Sequence, residues 1–286
     1  MPLVYTATVA VRHHELDAWG RVYPATHLRT VAEVAVQASA AAGFDPAWYD
    51  ALGAHWIVRR TLARFHRPVG RDATCVVKTW VADFRRVRSR RCYEIRVGDA
   101  LAVEAESDWV LIDVATGRPR RIPADVERTF DAPSGAASAP RDGWDETLPP
   151  VTPLRTAAAV RFTDLDALGH VNNAAYLDVL GEAVLTPLAR AGWGVEGLGA
   201  CGLAPFVAAC DLEYLDPVVW GGALEVTTWM APVPRGFEVV QHLGPAGAKT
   251  PSLRARTRWE WHALASGDPV DAPADLSRAL AALAAA

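Results

Sequence analysis

The spacing of apolar and polar residues changes along the first part of the chain. From Val4 to Arg12, β-branched or aromatic residues alternate with small ones, which is typical of a strand. From Pro24 the apolar and small positions recur every three or four residues, which predicts a helix that Gly43 ends in a left-handed conformation. These positions form a stripe along one face of the helix, made of Leu28, Val31, Ala32, Ala35, Ser39 and Ala42. Because these residues are mostly small, a curved sheet could lie close to the helix axis.

A series of strands is predicted to follow this helix. After a loop that contains Pro46, the alternation predicts strands over residues 55–65, 73–84, 87–97 and 101–114. One helix followed by consecutive strands favours an α+β fold with an antiparallel sheet.

The second half repeats this order. A strand at 157–162 precedes a helix with a stripe formed by Leu177, Leu180, Gly181, Val184, Leu188 and Ala191. Pro187 is predicted to kink or split this helix near the carbonyl of Ala183. Strands are predicted near 203–215, 223–230, 236–243 and 252–265, and a short surface helix over 274–286.

The two halves are copies of one another. Residues 11–80 align without a gap to residues 160–229 at an offset of 149, and 21 of these 70 positions are identical. Such a repeat indicates a duplicated domain. We therefore expect structural units over 1–122 and 154–270, a Pro- and Gly-containing linker over 123–153, and an Ala-rich tail over 271–286.

Composition narrows the class of protein. The chain has 286 residues, a formal charge of −4 and a pI near 6.1, which argue against nucleic acid as a partner. The start lacks the features of a signal peptide, and no run of about 18 apolar residues occurs, so a cytoplasmic protein with no membrane partner is expected. The four cysteines show no metal-ligand or Cys-x-x-Cys spacing and are expected to be buried thiols.

The best candidates for chemistry lie where the repeated motif leads into each helix. Asp17 and Asp166 each stand three residues before a glycine, Gly20 and Gly169. A carboxylate there could act on water or a carbonyl carbon, while backbone N–H groups at the helix start near Gly20 or Gly169 bind and polarise a carbonyl oxygen. The alternative is that both aspartates are only turn or N-cap residues, a common use of Asp.

The two motifs resemble those of the hotdog-fold thioesterases. The run from Asp17 to Pro24 is similar to the aspartate, glycine, valine and proline pattern of the 4-hydroxybenzoyl-CoA thioesterase group. The run from Asp164 to Asn173 is similar to the Asp-x-Asn-x-His-Val-Asn-Asn pattern of the acyl-ACP thioesterases, which would make Asp166 and His170 catalytic. This sequence has Leu168 where the latter family has Asn, and Pro217 and Val218 where it has acidic and cysteine residues.

The resemblance also implies an architecture. In such folds a five-stranded antiparallel sheet wraps a long helix, and two units pair with the sites at their interface. One chain with two units would then form an intrachain pseudodimer, and further homo-oligomerisation stays open. Trp19, Arg21 and Tyr23 have diverged from Leu168, His170 and Asn172, so either copy could have lost activity.

Other polar residues have both a functional and a plain interpretation. His170 is a candidate acid or base but could equally be a hydrogen-bonding group in a polar turn. Asn172 and Asn173 could bind substrate or serve as turn and capping residues. Glu33 and Glu182 occupy matched helix positions, as second carboxylates or as solvated helix residues. No metal is assigned, because His13 and His14 lack partners at ligand spacing.

One dense basic run is predicted around a hairpin turn. It comprises Arg85, Arg86, Arg88, Arg90 and Arg91. The run is either a solvated face or a site in which Arg88, Arg90 and Arg91 bind the phosphates of an anionic carrier. The second interpretation predicts that alanine at these three positions raises KM more than it lowers kcat.

These observations predict hydrolysis of an acyl thioester carried on CoA or acyl carrier protein, without a metal or redox cofactor, within fatty acid metabolism. The first alternative is a hotdog hydratase or dehydratase, in which the spacing from Asp to His is normally one residue longer than that from Asp166 to His170. The second alternative is a non-catalytic module that binds acyl thioesters.

Overall fold

The computed structural model of the protein describes residues 3–130, 145 and 147–285. The chain forms two compact units. The first unit comprises residues 1–14 and 26–145, and the second comprises residues 15–25 and 146–286. Residues 131–144 and 146, which belong to the predicted linker, lie outside the described residues.

The first unit contains a five-stranded antiparallel sheet in the order β1-β3-β4-β5-β2. Its strands are β1 (Tyr5–Ala10), β2 (Ala54–Phe65), β3 (Thr74–Arg85), β4 (Arg88–Val97) and β5 (Ala100–Asp113). Its helices are α1 (Pro24–Ala41), α2 (Pro46–Leu52) and α3 (Ala124–Thr129). The long helix and the consecutive strands confirm the predicted α+β class.

The long helix α1 buries part of the face that its periodicity predicted, since Ala32, Ser39 and Ala42 are half-buried. Leu28, Val31 and Ala35 are buried, and so are Val34 and Ala38 on the neighbouring positions. Gly43 follows the helix with a φ of 90°, in the left-handed region that a residue with a side chain rarely adopts.

His27 is buried on α1, with its ring centroid 6.0 Å from that of Phe65. Burial lowers the pKa of His27 from 6.5 to about 4, because the charged imidazolium loses its hydration. The folded chain therefore holds this imidazole neutral at pH values at which the unfolded chain protonates it.

We expect the stability of the protein to fall between pH 7.5 and pH 5 because of His27. The unfolded state binds the proton below about pH 6.5 and the folded state only below about pH 4, so stability is full above 6.5 and decreases as the pH drops. The contribution lost by pH 5 is about 2 kcal/mol. Urea unfolding at both pH values measures it, and His27→Leu should show a smaller difference by about that amount. Equal pH dependence in the two proteins would contradict the prediction.

The loop expected around Pro46 is a helix. Asp45 caps α2 by accepting a hydrogen bond from the Trp48 N–H at 2.8 Å, Pro46 occupies the first turn, and Gly53 ends the helix with a left-handed conformation. The sequence contained these start and stop signals, but the segment is only seven residues long.

The start of the predicted linker is also ordered. The short helix α3 places Val126 and the following Phe130 in a buried cluster with Phe44, Leu111 and Ile122. Residues 122–130 thus pack as part of the first unit, because their apolar side chains cover the end of its sheet and α2.

The second unit repeats the arrangement. Its sheet has the order β7-β10-β9-β8-β6, with β11 paired to β10. Its strands are β6 (Leu154–Ala158), β7 (Leu203–Tyr214), β8 (Leu224–Val233), β9 (Gly236–Pro245), β10 (Leu253–Ala263) and β11 (Pro269–Val270). Its helices are α4 (Ala175–Leu188), α5 (Val195–Ala200) and α6 (Ala274–Ala285), and a π-helical turn spans Ala189–Trp193.

The prediction for Pro187 was a kink or a split near Ala183, and the split does not occur. The helix α4 continues from Ala175 to Leu188, and the irregular π-helical turn begins only at Ala189. The side chain of Gln241 on β9 donates to the carbonyl of Leu180 at 3.0 Å, which ties the helix to the sheet. Leu180, Ala183, Val184 and Leu188 are also buried, so packing stabilises the helix although Pro187 provides no N–H for the Ala183 carbonyl.

Two smaller expectations need correction. The C-terminal helix α6 is not a plain surface helix, because Leu276 and Leu280 are buried and the helix packs against β8. Among the cysteines, Cys75, Cys92 and Cys210 are buried as expected, but Cys201 is exposed. None of the described helices is both long and apolar enough to cross a membrane.

Candidate active site

The repeated motif forms the same turn in both copies. The N–H of Asp17 donates to the carbonyl of Arg21 at 2.7 Å, and the N–H of Asp166 donates to that of His170 at 2.9 Å. In each turn the glycine N–H donates to the aspartate carbonyl at 3.0 Å, and the two glycines have φ angles of 76° and 77°. Both turns belong to the second compact unit.

The turns precede the helices rather than form their first residues. Asp17 lies seven residues before Pro24, and Asp166 lies nine residues before Ala175. The N–H groups that bond these carboxylates come from the turns themselves. The amides of Gly20 and Gly169, which were expected to polarise a carbonyl, donate within the turns instead.

The carboxylate of Asp17 is held on both oxygens. One oxygen accepts from the N–H groups of Trp19 and Arg21, both at 2.9 Å. The other accepts from the Nε and a terminal nitrogen of the Arg21 guanidinium, at 3.0 and 2.9 Å. That guanidinium also donates to the carbonyl of Pro205 on β7 at 2.8 Å and lies 5.2 Å from the Trp19 ring centroid. Asp17 is therefore the anchor of a docked turn.

We expect loss of this anchor to weaken the fold. Arg21→Ala removes the bidentate pair and leaves a half-buried carboxylate with fewer donors, which costs about 1–3 kcal/mol. Chemical denaturation compares it with Arg71→Ala, which removes an exposed arginine elsewhere. Equal stability of these two variants would show that the pair contributes nothing.

Asp166 occupies the matching position with far fewer contacts. One carboxylate oxygen accepts from the Leu168 N–H at 2.9 Å, and across residues 3–130, 145 and 147–285 the other oxygen accepts no hydrogen bond. The position of Arg21 is taken by His170, which is half-buried and has no side-chain hydrogen bond to a described residue. In the same part of the chain, the backbone N–H of His170 has no acceptor, whereas that of Arg21 is bonded to Asp17. Among the described residues, the second turn thus offers a carboxylate oxygen and an amide N–H that have no hydrogen-bond partner, together with an imidazole.

The two asparagines have structural contacts. The side-chain oxygen of Asn172 accepts from the Ala174 N–H at 3.0 Å, just before α4 begins. The carbonyl of Asn173 accepts from the Tyr214 hydroxyl at 2.9 Å. The Tyr176 hydroxyl accepts from the Val218 N–H at 3.2 Å, and burial raises the pKa of Tyr176 to about 12. These contacts fix the loop between the second turn and α4.

Asp164 was not predicted as a site residue, but it supports the second turn. Its carboxylate is buried and accepts from the guanidinium of Arg161 at 2.8 Å and from the Arg161 N–H at 2.8 Å. Its own carbonyl accepts from the Asn172 N–H at 2.8 Å, so it braces the far side of the second turn. The sequence feature that could have identified Asp164 is an acidic residue at the same position of both motifs, because Glu15 is its counterpart in the first copy.

Tyr23 in the first motif interacts electrostatically with carboxylates of the helix α4. Burial raises the pKa of Tyr23, and the negative charges of Asp17, Asp178 and Glu182 raise it further. The Tyr23 hydroxyl therefore lies within electrostatic reach of the α4 carboxylates. Glu182 itself is exposed and accepts from the Thr186 hydroxyl, and Glu33 is exposed beside Gln37.

The arginine run lies within the first unit. Arg88 donates to Asp83 at 2.9 Å and to Asp108 at 3.0 Å, and Arg90 donates to Asp108 at 3.2 Å. Arg91 is buried with its guanidinium 5.0 Å from the Phe130 ring centroid, and burial lowers the pKa of Arg91. These contacts give Arg88, Arg90 and Arg91 partners inside the protein. Among the described residues, His, Cys, Asp and Glu form no group of three or more that could hold a metal ion.

Each half of the chain is similar to a known family of thioesterases. The N-terminal domain of the acyl-ACP thioesterases matches residues 2–130, and the thioesterase-like superfamily matches residues 160–280. A chloroplastic acyl-[acyl-carrier-protein] hydrolase of Cuphea viscosissima is 26% identical over 276 residues. The alignment covers 90% of this chain, which spans only 63% of that relative's length.

Two solved structures have a fold similar to that of this chain. A Lactobacillus plantarum protein assigned as an oleoyl thioesterase has a TM-score of 0.77 at 18% identity, with 91% of this chain and 96% of that chain covered. The 12:0-ACP thioesterase of Umbellularia californica has a TM-score of 0.69 at 20% identity, with 90% and 94% covered. The two family matches together confirm the resemblance to the hotdog-fold thioesterases with two domains in tandem, and the solved structures share this fold.

Proposed function

We propose that the protein hydrolyses acyl thioesters, and that Asp166 in the second turn carries the chemistry. The observation that supports Asp166 most strongly is the contrast between the copies. The Asp17 carboxylate is bonded on both oxygens, whereas Asp166 keeps one oxygen without a hydrogen bond from any described residue. A general base or nucleophile needs such an oxygen to reach water or the carbonyl carbon.

In the proposed mechanism, the thioester carbonyl oxygen accepts a hydrogen bond from the His170 N–H. This amide replaces the glycine amide expected from the sequence, which is used within the turn. A donor held at that position stabilises the negative charge that develops on the oxygen as the carbonyl carbon becomes tetrahedral.

Asp166 then removes a proton from water while the water oxygen attacks the carbonyl carbon. The tetrahedral intermediate collapses, the carbon–sulfur bond breaks, and the sulfur receives a proton from the protonated Asp166 or from the His170 imidazolium. The products are a carboxylic acid and a free thiol. Direct attack by Asp166 would instead give an anhydride that water cleaves to the same products.

We propose acyl carrier protein as the preferred carrier. This choice is supported by the acyl-ACP thioesterase domain that matches residues 2–130 and by the carrier-protein substrates in the names of the Cuphea and Umbellularia proteins. Nothing in the geometry of the two turns depends on the carrier, so CoA thioesters remain the alternative donor.

A thiol-release assay across acyl-chain lengths tests the proposal. The same acyl groups are offered on CoA and on acyl carrier protein, and a thiol reagent reports hydrolysis. We expect release from the carrier-protein thioesters with a larger kcat/KM than from the CoA thioesters. Failure to release thiol from either series, by a protein with native circular dichroism, would overturn the proposed function.

A further inference from the structure

The second unit has a cavity on the face of its sheet that is turned away from α4. Along β8, Leu224, Val226 and Thr228 are buried, and the residues between them point to the opposite face. The cavity lies on that opposite face and has a volume of about 330 Å³. Sites for small molecules have volumes of about 300–1,000 Å³, so the cavity is large enough for a small ligand.

Three strands supply the floor and one wall. Arg155 of β6 pairs with Thr227 of β8, which pairs with His242 of β9, so the three side chains form one row across the sheet. Trp229 lies next to this row, and its ring meets the His242 ring edge to face, with centroids 5.1 Å apart. All four residues line the cavity.

A loop that the first unit lacks supplies the opposite wall. Seven residues, 246–252, connect β9 to β10, whereas only Gly98 and Asp99 connect the matching strands β4 and β5. The longer loop brings Lys249 and Thr250 to the cavity. In the first unit the row that matches Arg155, Thr227 and His242 is Thr6, Lys78 and Glu94. The first unit therefore has the same sheet face, but without the long loop and with different side chains in the row.

The chemistry of the lining favours a ligand with negative charge and a flat ring. Arg155 and Lys249 carry positive charge, and Glu225, which accepts from Arg155 at 2.6 Å, is the one carboxylate among the described lining residues. Guanidinium, ammonium and threonine hydroxyl groups are phosphate donors. The Trp229 indole supplies an aromatic wall on which a heterocycle can stack. An acyl chain would fit poorly, because it would cover charged groups without bonding them.

We propose that this cavity binds a nucleotide, with the phosphates at Lys249 and Arg155 and the base against Trp229. The site goes beyond the proposed hydrolysis and does not depend on it. Two sources offer this chemistry, the nucleotide end of coenzyme A and a free adenine nucleotide.

Calorimetric titration of the full chain with ADP tests the site, with inorganic phosphate and coenzyme A titrated separately. We expect one ADP bound per chain, and inorganic phosphate bound about tenfold more weakly or worse, because it lacks the stacking contact. Tighter binding of coenzyme A than of ADP would identify the coenzyme as the source, and equal or weaker binding would identify the free nucleotide.

Two matched variants locate the ligand. Lys249→Ala should weaken ADP binding about tenfold, since it removes one charge-assisted contact. Lys78→Ala removes an equal charge from the matching face of the first unit and should leave ADP affinity unchanged. The proposal is overturned if ADP does not bind the folded protein, if phosphate binds as tightly as ADP, or if the two variants have the same affinity. Because binding is read directly, its failure is distinct from a failure of hydrolysis.

Discussion

Asp166→Asn should lower the rate of thiol release by about 10²–10⁴, the usual cost of losing a general base. Asparagine has nearly the shape of aspartate and can still accept the hydrogen bond from the Leu168 N–H, so the turn should persist. It cannot take a proton from water or attack as a carboxylate. The loss should therefore appear in kcat with little change in thermal stability.

The first turn provides the matched comparison. Asp17→Asn makes the same chemical change in a turn with the same backbone hydrogen bonds, but it breaks an ion pair with Arg21. We expect this variant to retain most of its activity and to lose stability. The reverse pattern, an inactive Asp17 variant and an active Asp166 variant, would place the chemistry in the first turn and refute the assignment.

Arg90→Ala should lower the free energy of unfolding by about 3 kcal/mol, because it removes a buried guanidinium that donates to the buried carboxylate of Asp108 and so weakens the pairing of that charge. Arg90 and Asp108 are both buried, at 4% and 8% exposure. Urea denaturation measures the loss. Arg85→Ala, in the same hairpin but with 71% of its side chain exposed, should change stability by less than about 0.5 kcal/mol.

This prediction competes with the carrier-phosphate hypothesis for the arginine run. If Arg90 contacts a carrier, Arg90→Ala should raise KM while stability stays near that of the wild type. If Arg90 pairs with Asp108, stability falls and the KM of the remaining folded enzyme is unchanged. The contacts of Arg88 and Arg90 with Asp108 favour the second outcome.

Much of the fold could be predicted because the hydrophobic pattern is strong over long elements. The stripe on α1 and the alternation in β2 to β5 gave the order and nearly the bounds of these elements. The short helix α2 was missed because seven residues span only about two turns, too few for a clear period. The continuity of α4 through Pro187 could not be predicted either, since packing, not propensity, preserves it.

The candidate site was predictable to the level of the turn but not of its hydrogen bonds. The repeated Asp and Gly indicated two equivalent turns, and the backbone contacts of Asp17 and Asp166 match. Whether Arg21 folds back onto Asp17 depends on its rotamer and on the carbonyl of Pro205, which is remote in sequence. The sequence therefore indicated two equivalent aspartates. In the structure the Asp17 carboxylate is bonded on both oxygens, whereas the Asp166 carboxylate accepts a hydrogen bond from the described residues on one oxygen.

The most direct test of the central claim uses the double variant Asp17→Asn, Asp166→Asn. It leaves the chain without a carboxylate in either turn while it preserves the shape of both side chains. With native circular dichroism and saturating acyl carrier protein thioester, we predict thiol release no faster than that of the Asp166→Asn single variant. Release by the folded double variant at the wild-type rate would contradict a carboxylate mechanism and return both residues to turn and capping roles.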